Sequence, residues 1–383
     1  MSTEKVKCLI CGAILDAGTK VCPICGVGEE HFVPVAPEPA PAPDERKADE
    51  RFVIIGGGVA AVSAAQEIRR INPRASVVMV SEETALPYRR PALSKEPLTA
   101  QTGERFALYR PEWYSRRGIF ILFGRRAVRL HPTAKQVDLS DGEVLDYDKC
   151  ILATGAQSVI PPIEGCALGG VFTLRTLADF EAIAQYVRPD MRAVVIGGGV
   201  LGLESAWQLH LGGCHVTVLE AAERLFAGMA DEATSAEYIR MASAHGVEIR
   251  TGALVSRLEG DSSVRQVILP GEYLNADLVL LCCGVRPRVE LAEQAGLEVN
   301  RGIVVNARMM TNKYGIYACG DCARLSERPV TAWQVAKSMG ICAARNAAGE
   351  DAIYQPVSVP MVVNAFGKTV TPQIKEAPKK AEV

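Results

Sequence analysis

Two stretches of this chain repeat one pattern of apolar, glycine and acidic positions. Phe52-Val53-Ile54-Ile55 is a short apolar run of strand type, broken by Gly56, Gly57 and Gly58. Residues 59–65 follow with helix-forming composition, and a second apolar run, Val77-Val78-Met79-Val80, ends at the acid Glu82. The order recurs downstream. Val194-Val195-Ile196 precedes Gly197, Gly198 and Gly199, with Gly202 as a further glycine; a helix through residues 203–206 follows, then Val216-Thr217-Val218-Leu219 and the acid Glu220. Each stretch predicts strand, glycine turn, helix, strand and acid, the order of a βαβ unit. Between the two, residues 119–150 alternate apolar and polar positions around an Asp141-Gly142 turn, which predicts a β-meander. The expected fold class is α/β.

Composition sets limits on that picture. At 383 residues, 48% hydrophobic and 22% charged, the chain is long enough for two or three cores. The formal charge is −2 and no arm concentrates Lys or Arg, which argues against nucleic acid as a partner. No apolar run reaches transmembrane length and the N-terminus lacks a signal peptide's apolar core, so no membrane association is expected. Of twelve cysteines, four form two CxxC pairs and the rest are scattered in apolar surroundings. Without an export signal this usage points to a reducing cytoplasm.

The residue types in each glycine turn suit a dinucleotide. Gly56 makes the tight turn, Gly58 lets the backbone approach a pyrophosphate, and the helix N-terminus offers free N–H groups to that anion. Ala61 takes the third small position, where helix packs closely on strand, and Glu82 can accept hydrogen bonds from a ribose. Gly197, Gly199, Gly202 and Glu220 repeat the arrangement. One such turn is weak evidence, because glycine-rich turns are common; two complete copies are strong evidence.

Residues 1–35 hold an internal repeat of two CxxCG knuckles, Cys8-Leu9-Ile10-Cys11-Gly12 and, after a ten-residue spacer, Cys22-Pro23-Ile24-Cys25-Gly26. The thiolates of Cys8, Cys11, Cys22 and Cys25 in this spacing make a tetrahedral sulfur site for zinc or a single iron. So short a segment buries too little to fold alone, so the metal supplies the folding energy. Disulfide-closed loops are the other reading, and a reducing compartment argues against them. Residues 36–50 form a linker in which prolines alternate with small residues before a charged run. Extended at roughly 3 Å per residue, it can hold the module away from the main body or let it swing.

Two resemblances attach to these motifs. The knuckles together with Val27-Gly28-Glu29-Glu30-His31-Phe32-Val33-Pro34 resemble a short rubredoxin domain, which implies iron cycling by one electron. The ten-residue spacer departs from full-length rubredoxins and matches short zinc ribbons, and Phe32 stands where rubredoxins have several aromatics, so zinc is the alternative metal. His31 is expected at the surface, since four sulfurs already fill a tetrahedron.

The rest of the chain resembles the NADH:rubredoxin reductases, ferredoxin reductases and nitrite reductase large subunit of the pyridine nucleotide-disulfide oxidoreductase superfamily. Leu86-Pro87-Tyr88-Arg89-Arg90-Pro91-Ala92-Leu93-Ser94-Lys95 is similar to their flavin-contacting segment, which assigns Arg90 and Lys95 to FAD. Arginine can meet phosphate or stack on a ring, and lysine can place positive charge by a reduced flavin. Cys150-Ile151-Leu152-Ala153-Thr154-Gly155-Ala156 resembles the strand that crosses back beside the cofactor, and Ile316-Tyr317-Ala318-Cys319-Gly320-Asp321 the strand whose aspartate meets the FAD ribityl chain. Cys319 and Cys322 have CxxC spacing, but that aspartate motif already explains the segment. Trp333, Gln334 and Ala343-Ala344-Arg345-Asn346 resemble the closing helix of the flavin domain.

The resemblance places FAD on the first glycine turn and the pyridine nucleotide on the second. Glu220 then selects NADH, because a carboxylate repels the 2′-phosphate of NADPH; Arg224 leaves some NADPH use open. Glu204, in Gly202-Leu203-Glu204-Ser205-Ala206, is either a nicotinamide-side residue or a solvated helix residue. The implied architecture is two Rossmann-like domains of glutathione-reductase type, a three-layer ββα sandwich, plus the small four-cysteine module. FAD takes 51–160 and 282–349, NAD(H) takes 161–281, and 350–383 is a truncated C-terminal segment with a strand or two in 360–371 and a polar tail. Either the metal module caps the flavin or the flavin is unusually exposed, and monomer and dimer both stay open.

Chemistry narrows the activity further. Disulfide reductases need a cysteine pair on the first helix, and residues 60–66 contain none. NADH oxidases, peroxidases and coenzyme A disulfide reductases use one cysteine after the first acid, and residues 84–95 contain none. The expectation is an FAD-dependent, NADH:rubredoxin-type oxidoreductase with no catalytic side chain. Hydride passes directly to flavin, and electrons continue through iron on the four cysteines to an external acceptor protein. Analogy offers rubredoxin, rubrerythrin, superoxide reductase or a flavodiiron protein. The alternatives are a reductase whose module is a structural zinc ribbon for docking, and a non-catalytic flavin redox sensor.

Overall fold

The computed structural model describes residues 5–10, 13–23, 26–34, 49–97, 103–326, 331–357, 359 and 362–370. Two five-stranded parallel sheets carry the glycine turns. In the first, Arg51–Ile55 is central, with Lys149–Leu152 and then Ile316–Ala318 on one side and Ser76–Ser81 and then Ile119–Phe123 on the other. In the second, Arg192–Ile196 is central, with Leu278–Leu281 and Val171–Thr173 on one side and His215–Leu219 and Glu248–Arg250 on the other. Four strands, from the crossing strand to the far edge, stand in the same order in both sheets; the fifth comes late in the chain in the first, as Ile316–Ala318, but precedes the glycine turn in the second, as Val171–Thr173.

The central strands are apolar without alternation because both faces are covered. Phe52, Val53, Ile54 and Ile55 are all buried, packed with the helices Val59–Ile71 and Trp333–Ala347 and with residues of a small antiparallel sheet such as Leu130, Val137 and Leu139. That small sheet, Ala127–His131, Gln136–Leu139 and Val144–Asp146, is the meander the alternation predicts, with Gly142 at φ +89° in its turn. The meander is shorter than expected. Ile119–Phe123 and Lys149–Leu152 leave it for the parallel sheet, Lys149–Leu152 as a buried inner strand and Ile119–Phe123 as an edge strand with Phe120 exposed. A second meander, Arg257–Glu259, Gln266–Leu269 and Glu272–Asn275, accompanies the second sheet.

The second glycine-turn helix is longer than the sequence suggests. It spans Val200–Leu211, so Gly202 lies inside its first turn. In the N-terminal module, Lys5–Cys8 is the middle strand of a three-stranded antiparallel sheet with Ile14–Asp16 and Phe32–Pro34. The linker, apart from Asp49 and Glu50, lies outside the described residues, as do Cys11, Cys25 and the polar tail. Of the C-terminal stretch, Val363–Ala365 pairs with Lys368–Val370 as a hairpin. It sits on the second unit: Tyr238 Oη donates to the Val363 carbonyl at 3.2 Å, and Phe366 meets Trp207 edge-on with ring centroids 5.6 Å apart. No described helix is long and apolar enough to cross a membrane.

The closing helix crosses the first glycine-turn helix at backbone contact. A Cβ on Gly340 would stand 2.3 Å from the Ala60 carbonyl oxygen. Inside a helix, Gly→Ala is ordinarily favourable by about 1 kcal/mol. Here the collision reverses the sign: Gly340→Ala is expected to destabilise by about 1–3 kcal/mol, read as a lowered thermal midpoint.

Candidate functional site

Both glycine turns open on one cleft of about 1520 Å³. Gly56 and Gly197 have φ of +135° and +114°. A Cβ there would stand 2.1 Å from the Ala153 carbonyl oxygen and 2.4 Å from that of Cys282, so only glycine passes. A Cβ on Gly202 would stand 1.9 Å from the Gly197 carbonyl oxygen, and Ala61 is fully buried, which fits the third small position of each unit. Gly58 and Gly199 begin the two helices. Neither helix has a side-chain cap, and the space a Cβ would take at either glycine is open. Uncapped N–H groups, the positive end of a helix dipole and an open cradle suit a pyrophosphate at each turn. The residues present therefore fit two dinucleotides.

Of the charged residues expected at the cofactors, Glu82, Arg90 and Asp321 line the cleft and are already paired, whereas Lys95, Glu204 and Glu220 lie outside its lining. Glu82 meets Arg288 at 2.6 Å. Thr154 donates through Oγ1 to the Arg288 carbonyl at 2.7 Å, and the Arg288 N–H donates to Gly155, tying the crossing strand to the return segment. Asp321 meets Arg175 at 2.7 Å, and Arg175 also donates to the Ala156 carbonyl. Arg90 lies 2.7 Å from Glu83, donates to the Tyr88 hydroxyl at 2.8 Å and sits 4.8 Å from that ring. Burial pushes the Glu83 carboxyl up, but Arg90 and the Tyr88 hydroxyl outweigh it, so its pKa falls below the usual range. Glu220 accepts from the Gly198 and Ala222 N–H groups at 2.7 and 2.8 Å and so braces its own glycine turn. Arg224 donates to the Ala230 carbonyl.

Glu204 is not a solvated helix residue. It is 1% exposed and accepts from Lys95 Nζ at 2.7 Å, Ser94 Oγ at 2.5 Å and the Asn364 N–H at 3.0 Å. The Leu86-to-Lys95 segment, the second glycine-turn helix and the C-terminal hairpin thus meet at one carboxylate. Arg175, Arg288, Glu83, Ser94 and Asn364 were not singled out in the sequence. Ser94 lies in the Leu86-to-Lys95 segment noted for its likeness, and Arg175 precedes the Thr176 and Asp179 capping box.

No activated thiol faces the cleft among the described residues. Cys282 and Cys319 line it, but burial pushes both thiols up. Cys322 is buried and points to the Leu152 carbonyl at 3.5 Å, so the CxxC spacing with Cys319 is structural.

In the N-terminal module, Cys8 and Cys22 are buried in one cluster with Ala13, Leu15 and Val27. Their N–H groups donate to Ala13 and Val27, closing the two knuckle turns. Two inward thiols in an apolar shell fit half of a four-thiolate metal site. Among the described residues, which omit Cys11 and Cys25, no group of three metal-ligating side chains occurs. His31 is part-exposed beside Glu30, as expected. The Gln334 amide donates to the Cys8 carbonyl at 3.5 Å, and Val362 packs on the module's cluster.

Two outcomes follow from this geometry. Glu204→Ala leaves the Lys95 ammonium buried without its carboxylate and is expected to cost about 3–5 kcal/mol in urea unfolding. Glu83, with its pKa depressed on folding, contributes stability above its ordinary value of about 4.3. That stability is lost as pH falls through the lower folded value, so Glu83→Gln is expected to flatten the acid side of a midpoint-against-pH curve.

The profile of the pyridine nucleotide-disulphide oxidoreductase family matches residues 50–340, which span both glycine turns and leave out the four-cysteine module. Rubredoxin-NAD(+) reductase of Pseudomonas putida is 38% identical over 275 residues, 71% of this chain and 71% of its own. Putidaredoxin reductase of Pseudomonas putida is 37% identical over 294 residues, 75% of this chain and 70% of its own. The crystal structure of a covalent putidaredoxin reductase–putidaredoxin complex aligns with a TM-score of 0.77 at 33% identity, covering 83% of this chain and 79% of that one. On fold, cleft and sequence, the chain belongs to the pyridine nucleotide-disulphide oxidoreductase family.

Proposed function

We propose that this chain is an FAD-dependent NADH oxidoreductase that passes electrons through a rubredoxin-type iron in its own N-terminal module to an external acceptor protein. The observation that carries the reading is the single cleft on which both uncapped glycine-turn helices open. Gly56, Gly58 and the helix behind them would hold the FAD pyrophosphate, and Gly197, Gly199 and Gly202 that of NADH. Glu220 opposes a 2′-phosphate. The Lys95–Glu204 pair joins the two nucleotide units and keeps an ammonium group at their boundary. A bound flavin supplies what no side chain here can, taking two electrons at once and releasing them singly. The electrons balance: each NADH gives up one hydride, reduces two one-electron acceptors and releases one proton.

The acceptor side rests on what the chain holds and on its relatives. No thiol relay stands beside the cleft among the described residues, and the buried Cys8 and Cys22 suit a sulfur-ligated metal. Relatives named for rubredoxin and putidaredoxin support a small electron-transfer protein as the external acceptor. The corresponding division is a metal module at 1–35, FAD-binding parts at 51–160 and 282–349 and an NAD(H)-binding part at 161–281. The ten-residue knuckle spacer favours a second reading, in which the module holds zinc and serves docking.

In anaerobic stopped-flow with NADH, flavin absorbance is expected to bleach first and the module's visible bands second. Flavin bleaching with unchanged module bands, in protein shown by metal analysis to contain iron, would overturn the relay. Glu220→Ala is expected to cut the preference for NADH over NADPH in kcat/KM by about tenfold, or roughly 1.4 kcal/mol.

A further inference from the structure

We propose that Gln334 and Val362 form a seat that docks the N-terminal module against the mouth of the dinucleotide cleft, with Cys8 on the side facing the body. The use of this seat in electron transfer rests on the relay reading above; the docking itself does not.

Two separate segments of the body reach the module. The Gln334 side-chain amide donates to the Cys8 carbonyl at 3.5 Å. Val362 packs into the apolar cluster that contains Cys8 and Cys22. The two contacts match the two sides of Cys8: its carbonyl faces a polar donor and its thiol lies in the shell that Val362 helps to close.

The Gln334 segment also runs directly into the cleft, and the Val362 segment runs to the buried Glu204 carboxylate. Gln334 follows Trp333, which opens the closing helix and lines the cleft together with Thr331, Ala332 and Ala336. Val362 is followed by Val363, whose carbonyl accepts from Tyr238, and by Asn364, whose N–H donates to Glu204. The seat is therefore one residue from the cleft wall on one arm and two residues from the Lys95–Glu204 pair on the other. One long hydrogen bond and one apolar side chain make a weak contact, but a tether of residues 36–50 raises the effective concentration of the module to the millimolar range or so. Weak docking under a tether suits a module that must both face the cleft and leave it for a partner.

The test uses the full chain with flavin and metal bound, as Val362→Asp and as Gln334→Ala. Amide hydrogen exchange over residues 5–10 is expected to rise in both, more in Val362→Asp, at unchanged metal and flavin content. Flavin bleaching by NADH is expected to keep its rate, while reduction of the module slows at least about tenfold in Val362→Asp, because the docked population falls. Unchanged exchange over residues 5–10 in both variants overturns the seat, whatever the electron kinetics. Raised exchange in a protein whose native module is never reduced by NADH keeps the seat and sinks the relay. If exchange in Val362→Asp rises throughout the chain, its hairpin has come loose, and Gln334→Ala decides alone.

Discussion

Backbone against backbone at the glycine turns is the constraint from which the site is built. Where Gly56 passes Ala153 and Gly197 passes Cys282, no side chain fits between the strand end and the crossing segment. That closeness lets each helix start directly off the central strand with its N-terminal N–H groups uncapped and facing the cleft. A larger residue would push the crossing strand away and narrow the ground on which an anion can lie. The same small-residue logic continues behind the turn, where Gly340 brings the closing helix onto Ala60.

With two such turns facing one cleft, the relative position of their domains becomes the next requirement, and buried charge supplies it. Glu204 gathers Lys95, Ser94 and the Asn364 N–H from three distant parts of the chain. Arg175 joins the second unit to Asp321 of the first; the Arg288–Glu82 pair is exposed and lies within the first unit. Bonds of this kind contribute little net stability, since desolvation offsets most of their attraction, but they have strong directional preference.

The four-cysteine module stands outside the family's matched residues, and its link to the body is physical rather than familial. Its contacts with Gln334 and Val362 set it against two segments of the body. The C-terminal hairpin has a part in both regions, closing the module's cluster at Val362 and holding Glu204 at Asn364.

The duplicated strand–glycine–helix–strand–acid order was legible in the sequence because it is local. Apolar runs, positive-φ glycines and a small third residue are each dictated by neighbours within one βαβ unit. The Asp141-Gly142 turn was legible for the same reason. The partners of Glu82, Glu204 and Asp321 were not. Their hydrogen-bonding groups come from 206, 109 and 146 residues away, and no spacing rule connects such positions. Nor could alternation reveal that Ile119–Phe123 and Lys149–Leu152 belong to the parallel sheet, because a short apolar run looks the same in either sheet until its neighbours are known. By itself the sequence marked the two glycine turns on which anions could lie. Tertiary packing alone decided which charges meet across the cleft, since a buried carboxylate takes its partners from whatever the fold brings within 3 Å or so.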